Sequence, residues 1–151
     1  MFYRYRRDVQ YYETDAMKVV HHSNYIRWFE EARSAALRAW GIPYEKLEEL
    51  GYIGPILSVN CEYHQSARYG RKVEVRAAFV ENKPVRSGWV YAVVDAETND
   101  LYALGSSTHC FITEEGKVVS LKKEAPEIYE MFNKYLTDET QQDLRKAPLE
   151  D

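Results

Sequence analysis

Residues 23–41, SNYIRWFEEARSAALRAWG, decide the fold. Apolar side chains recur at Tyr25, Trp28, Phe29, Ala32, Ala35, Ala36, Ala39 and Trp40. That is the i, i+3, i+4 rhythm of a helix with one buried stripe. Arg27, Glu30, Glu31 and Arg38 lie off the stripe. Ser23 or Asn24 can accept a first-turn amide and so cap the start. Gly41 can take the left-handed conformation that closes a helix. The segment predicts an amphipathic helix of about 17 residues whose wide apolar face needs a sheet to cover it.

On both sides of this helix the pattern changes. Upstream, residues 3–12 (YRYRRDVQYY) are aromatic-rich and end in the polar turn Glu13-Thr14-Asp15, which reads as a strand. Downstream, Pro43 and Gly51 bracket a short helix over Tyr44 to Leu50. The period then becomes two, and strands are expected near 53–65, 72–82, 87–96 and 101–113. In the second of these, Val73, Val75, Ala77 and Phe79 alternate with Glu74, Arg76 and Ala78. Turn chemistry separates the strands at Arg68-Tyr69-Gly70, Asn82-Lys83-Pro84 and Thr98-Asn99-Asp100, and Glu115-Gly116 ends the last one. Pro126 opens a final helix to about Leu136. Residues 137–151 are polar and read as a tail of uncertain order. One domain over 1–136 follows, in the α+β class: a long helix wrapped by consecutive antiparallel strands.

Composition narrows the function classes. At 151 residues a single domain can bury a real core without disulfide staples. The net charge of −4 lacks the basic footprint of a nucleic-acid binder. Cys61 and Cys110 are the two cysteines, without CxxC spacing, and are expected as reduced thiols. No signal-peptide core opens the chain and no apolar run approaches a membrane span. The expectation is a soluble, cytoplasmic protein with no membrane insertion. Thirteen tyrosines suit pocket walls and subunit interfaces.

The chemistry concentrates just before the long helix. Asp15 precedes its first turn by a few residues, and that turn carries unpaired N–H groups that favour negative charge. A loop folding back would hold Asp15 beside those donors. A carboxylate on one side of a carbonyl and N–H donors on the other is what acyl transfer needs. Taken alone the pattern is weak, because an Asp after a strand is ordinarily a turn or cap residue.

The run Tyr12-Glu13-Thr14-Asp15-Ala16, followed by Val19-Val20-His21-His22, Tyr25 and Glu30-Glu31-Ala32-Arg33, resembles the 4-hydroxybenzoyl-CoA thioesterase family. It is most similar to the acyl-CoA thioesterases associated with the Tol–Pal envelope system. The similarity continues through Gly41-Ile42, Val59 to Ala67 and Arg86-Ser87, over about residues 5–135. The resemblance implies the hotdog fold: a long central α-helix wrapped by a five-stranded antiparallel β-sheet, in a homodimer or homotetramer. It implies an acyl-CoA substrate, hydrolysed to a carboxylic acid and CoA with no cofactor beyond that CoA. By position, Asp15 is then the nucleophile or general base. The backbone N–H at His22 is the oxyanion donor, and the His22 ring orients substrate or water. Tyr12 is the aromatic that braces the loop. Lys83, Arg86 and Ser87, with Arg68, are implied as CoA-binding groups. This chain departs from the family at Met17-Lys18, where Gly is usual. Gly permits loop torsions that Met or Lys adopt only at a cost, so the loop follows another path or Lys18 places a positive charge near the substrate.

Other constellations carry less. His21-His22 lacks the spacing of a two-histidine zinc helix, and no metal site is expected. No Gly-x-Ser-x-Gly elbow occurs. In Ser106-Ser107-Thr108-His109, neighbouring strand residues point to opposite faces, which argues against a Ser–His pair. Trp28, Phe29 and Trp40 read as core. Two rival functions remain: a dehydratase or hydratase on the same fold, with Glu30 or Glu31 as its acid, and a non-catalytic acyl-CoA-binding module.

Overall fold

The computed structural model describes residues 1–150. The order is β1 (Tyr3–Asp8), α1 (Ser23–Ala39), α2 (Tyr44–Glu49), β2 (Ile56–Tyr63), β3 (Lys72–Asn82), β4 (Ser87–Asp95) and β5 (Leu101–His109). There follow β6 (Phe111–Ile112), β7 (Val118–Val119), α3 (Leu121–Glu124), α4 (Pro126–Asn133) and α5 (Gln141–Lys146). Strands β1 to β5 form one antiparallel sheet in the order β1-β3-β4-β5-β2. Helix α1 lies across its inner face. This is the hotdog fold.

Alternation sets the two faces of the sheet. Val73, Val75, Ala77 and Phe79 of β3 and Trp89, Tyr91 and Val93 of β4 point inward, onto Tyr25, Trp28, Phe29, Ala32 and Ala36 of α1. The helix comes close enough that Phe29 stacks on Tyr91 at 4.4 Å. A Cβ added at Gly105 would sit 2.3 Å from the Phe29 ring. Glycine is therefore what allows β5 to pass beneath the helix.

The boundaries differ from the sequence reading where side chains intervene. The first strand stops at Asp8, and Tyr11–Glu13 coil into a single 3-10 turn because the Glu13 carboxylate accepts the Gln10 amide at 2.8 Å. The last long strand stops at His109, and β6 pairs with β7 as a separate hairpin. At the start of α1 neither Ser23 nor Asn24 acts as the cap. His21 Nδ1 accepts the Ser23 amide at 3.2 Å instead, and the Asn24 side chain donates to the Glu13 carbonyl at 2.9 Å.

The outer face of the sheet is covered by the chain's own C-terminal segment. Helix α5 starts at a reciprocal Thr140–Asp143 cap and seats a fully buried Leu144 against Ala78, Ala92 and Leu104. Beside it Arg76, itself buried, donates to the Leu144 and Ala147 carbonyls at 2.7 and 2.8 Å and to Asn99 Oδ1 at 2.8 Å. Glu74 neutralises it and also receives Arg4 and Arg6.

Candidate active site

The loop between the 3-10 turn and α1 is bound on every side. The Thr14–Val20 and Val19–Arg68 bridges hold its arms. Within it, the Asp15 amide donates to the Val19 carbonyl and the Lys18 amide to the Asp15 carbonyl, both at 2.9 Å. Lys18 takes φ 64°, so the loop keeps the left-handed torsion that suits Gly and Lys18 carries the strain, on the order of 1–2 kcal/mol. Asp15 is half-buried. Its Oδ1 accepts the Met17 amide at 2.8 Å, and its second oxygen has no partner among the described residues.

Asp15 and His22 line the same cleft of about 320 Å³, together with Met17, Tyr25, Tyr63 and His64. His22 is the cap residue immediately before α1. Its backbone N–H finds no acceptor among the described residues, whereas the neighbouring His21 amide donates to the Glu13 carbonyl and the Asn24 amide to the His21 carbonyl. One helix-start donor therefore remains unused, at a residue that lines the same cleft as Asp15. Tyr63 fixes the corner by donating to the His22 carbonyl at 2.8 Å. Partial burial pushes its phenol up to about 12, which keeps that donor proton in place at neutral pH.

Glu13 ties this geometry together. Its carboxylate is 4% exposed. It receives Arg7 Nη2 at 2.6 Å, the Gln10 amide at 2.8 Å and the Trp28 indole N–H at 2.8 Å. Its carbonyl receives the His21 amide at 2.8 Å and the Asn24 side chain at 2.9 Å. One residue thus joins β1, the 3-10 turn and two turns of α1, two positions before Asp15. The sequence reading gave this bracing to Tyr12, but that side chain is 80% exposed and Glu13 does the work. The readable signal was Trp28: a buried indole needs an acceptor.

The remaining sequence candidates divide between two ends of the sheet. Arg68 is exposed and lies beside the Asp15 loop through its bridge to Val19. Lys83, Arg86 and Ser87 lie on the β3–β4 hairpin, at the far end of a strand roughly 30 Å long. Within one chain they do not reach the Asp15 cleft. Arg86 donates to Glu81 at 2.8 Å, and Ser87 is half-buried against an interior cavity. Glu31 is held by Tyr5 and Arg7, on the opposite flank of α1. Ser107 and His109, two apart on β5, do share a face: Oγ and Nε2 are 2.7 Å apart. The pair is buried and leads to Tyr91 rather than to the cleft. Among the described residues no three His, Cys, Asp or Glu side chains converge on a metal position, and no helix is long and apolar enough to cross a membrane.

Known proteins place this chain in a family. A protein of Bacillus subtilis named "Putative acyl-CoA thioesterase YneP" is 27% identical over 128 residues, covering 84% of this chain and 92% of its own. The crystal structure of the DHNA-CoA thioesterase from Staphylococcus aureus superposes with a TM-score of 0.84 at 30% identity, over 88% of this chain and 89% of that one. A hypothetical protein of Aquifex aeolicus superposes with a TM-score of 0.79 at 37% identity, over 86% and 98%. The family model described as the thioesterase-like superfamily matches residues 9–143, and the chain belongs to that superfamily.

Proposed function

We propose that this chain hydrolyses an acyl-CoA thioester to a carboxylic acid and free CoA. The observation that carries the reading is the cleft lined by both Asp15 and His22, the residue whose helix-start N–H is unpaired among the described residues. The carbonyl oxygen of the thioester accepts the His22 N–H, which is worth most as negative charge develops there. Asp15 attacks the carbonyl carbon to give a mixed anhydride, or takes a proton from the attacking water. CoA leaves as the thiolate, and no cofactor beyond the CoA of the substrate takes part. The His22 ring, exposed beside Asp15, orients substrate or water. Within the superfamily, the motif around Asp15 resembles that of the 4-hydroxybenzoyl-CoA thioesterases and their Tol–Pal-associated members, which supports a kinship with them.

The CoA moiety calls for a second copy. Strand β2 is a sheet edge exposed on both faces, with Ile56, Leu57, Val59 and Tyr63 all 40% exposed or more. Edges of this kind pair readily. Antiparallel β2–β2 pairing about a two-fold axis sets the Tyr63 end of one copy beside the Ile56 end of the other. Ile56 is in register with His109, and His109 with Ser87. Each copy then presents Lys83, Arg86 and Ser87 towards the other copy's Asp15 cleft, where Arg68 already stands. Thiol release measured over a panel of aromatic and aliphatic acyl-CoA esters tests the activity, and turnover of at least one of them is expected. Tight acyl-CoA binding without thiol release would make the chain a binding module; hydration of a crotonyl thioester would make it a hydratase.

A further inference from the structure

Arg33 sits on the buried stripe of α1, 4% exposed, where a charge normally has a carboxylate beside it. Here its Nε donates to the Tyr44 hydroxyl at 2.9 Å and its Nη1 to the Tyr91 hydroxyl at 3.1 Å. No acidic side chain among the described residues pairs with it. Burial pushes the Tyr91 phenol up, so that partner is a neutral hydroxyl and the guanidinium stays uncompensated.

The hydrogen bonds from Arg33 lead into a chain of hydroxyls. Arg33 can only donate, so the Tyr91 oxygen accepts. The Tyr91 hydroxyl also pairs with Ser107 Oγ at 2.7 Å, and Ser107 Oγ with His109 Nε2 at 2.7 Å. His109 Nδ1 and Arg33 Nη2 have no acceptor among the described residues, and the Tyr44 hydroxyl proton has none either. Arg33, Tyr44, Ser87 and His109 line one interior cavity with Trp89 and Phe111. Its polar wall therefore offers N–H and O–H donors around a fixed positive charge, with no carboxylate.

We propose that this cavity is a binding site for a single-atom monovalent anion, a halide of chloride's kind. The charge selects the sign, since a water molecule could accept these donors but would leave the guanidinium unbalanced. Size limits the class: the cavity, about 10 Å³, is at the lower limit for a single-atom or water-sized occupant, which excludes phosphate, sulfate or a carboxylic acid. The site lies away from the Asp15 cleft of its own chain and shares only Ser87 with the proposed CoA groups; it does not depend on the proposed activity. It would lock α1 to β4 and β5.

The test is thermal unfolding of the full chain in sodium chloride or bromide, exchanged against sodium gluconate at constant ionic strength. Wild type is expected to gain roughly 5–10 °C in Tm at about a hundredfold excess of halide over its Kd. Arg33→Met, which keeps the volume and removes the charge, is expected to lose that response. Bromide-soaked crystals of the wild type, which need no variant to fold, are expected to show an anomalous peak against Arg33 and His109. No halide response in wild type, an equal response in Arg33→Met, or a water without anomalous signal at that position overturns the proposal.

Discussion

Replacing Glu13 by Gln changes one oxygen to an amide and nothing else in shape. The carboxylate uses Oε1 for Arg7 and Gln10 and Oε2 for Trp28. A glutamine that keeps its oxygen toward Arg7 must turn its NH2 toward the Trp28 N–H, donor against donor. An orphaned buried donor costs about 1–3 kcal/mol, and losing the carboxylate's charge opposite the Arg7 guanidinium removes about 1 kcal/mol more. Glu13→Gln should therefore destabilise by about 2–4 kcal/mol. Trp28→Phe removes the opposing donor, so in the double variant the glutamine amide no longer faces it. Urea unfolding of the four proteins should give a coupling energy of at least about 1 kcal/mol. The Glu13 side chain fixes the turn whose backbone carbonyl holds the start of α1, so a displaced turn in Glu13→Gln should lower kcat by roughly 10²-fold with KM little changed. Stabilities that add to within about 0.5 kcal/mol, or wild-type turnover in Glu13→Gln, would refute the clamp.

Three further outcomes follow. Leu144→Ala should destabilise by about 2–5 kcal/mol, measured by urea unfolding, because its fully buried side chain anchors α5 to the outer face of the sheet. Lys18→Gly should stabilise by about 0.5–1 kcal/mol by relieving the φ of 64°, and a loss of stability on thermal unfolding would show that Lys18 makes compensating contacts. Burial, with Arg33 nearby, lowers the pKa of His109 to about 3, below its unfolded value near 6.5. Its contribution is therefore complete above about pH 6.5 and is lost as pH falls toward 3. In halide-free buffer, His109→Gln should show a flatter stability slope than wild type between about pH 6.5 and 4, and parallel slopes would contradict this.

Much of the fold was legible because its elements are long and periodic. Helix α1 runs over Ser23–Ala39, as its stripe required, and β3 occupies residues 72–82, as its alternation did. What stayed hidden depends on distant contacts. Glu74 and Arg76 read as the solvent side of an alternating strand, yet both are fully buried under a six-residue helix whose one apolar anchor is Leu144. Asp15 and His22 could be picked out because a local motif carries them. Glu13 and Arg33 could not, because their roles come from Arg7, Trp28, Tyr44 and Tyr91, which only the folded chain assembles. The hairpin residues Lys83, Arg86 and Ser87 show the converse. A motif can name them, but one copy of the chain does not bring them to the cleft.

The account rests on Asp15 as the reacting carboxylate. Steady-state thiol release by Asp15→Asn, beside its acyl-CoA affinity and its thermal unfolding, measures this directly. Turnover should fall by about 10³-fold or more while Kd and Tm stay close to wild type. A folded, substrate-binding Asp15→Asn that keeps turnover within about tenfold of wild type would contradict the account.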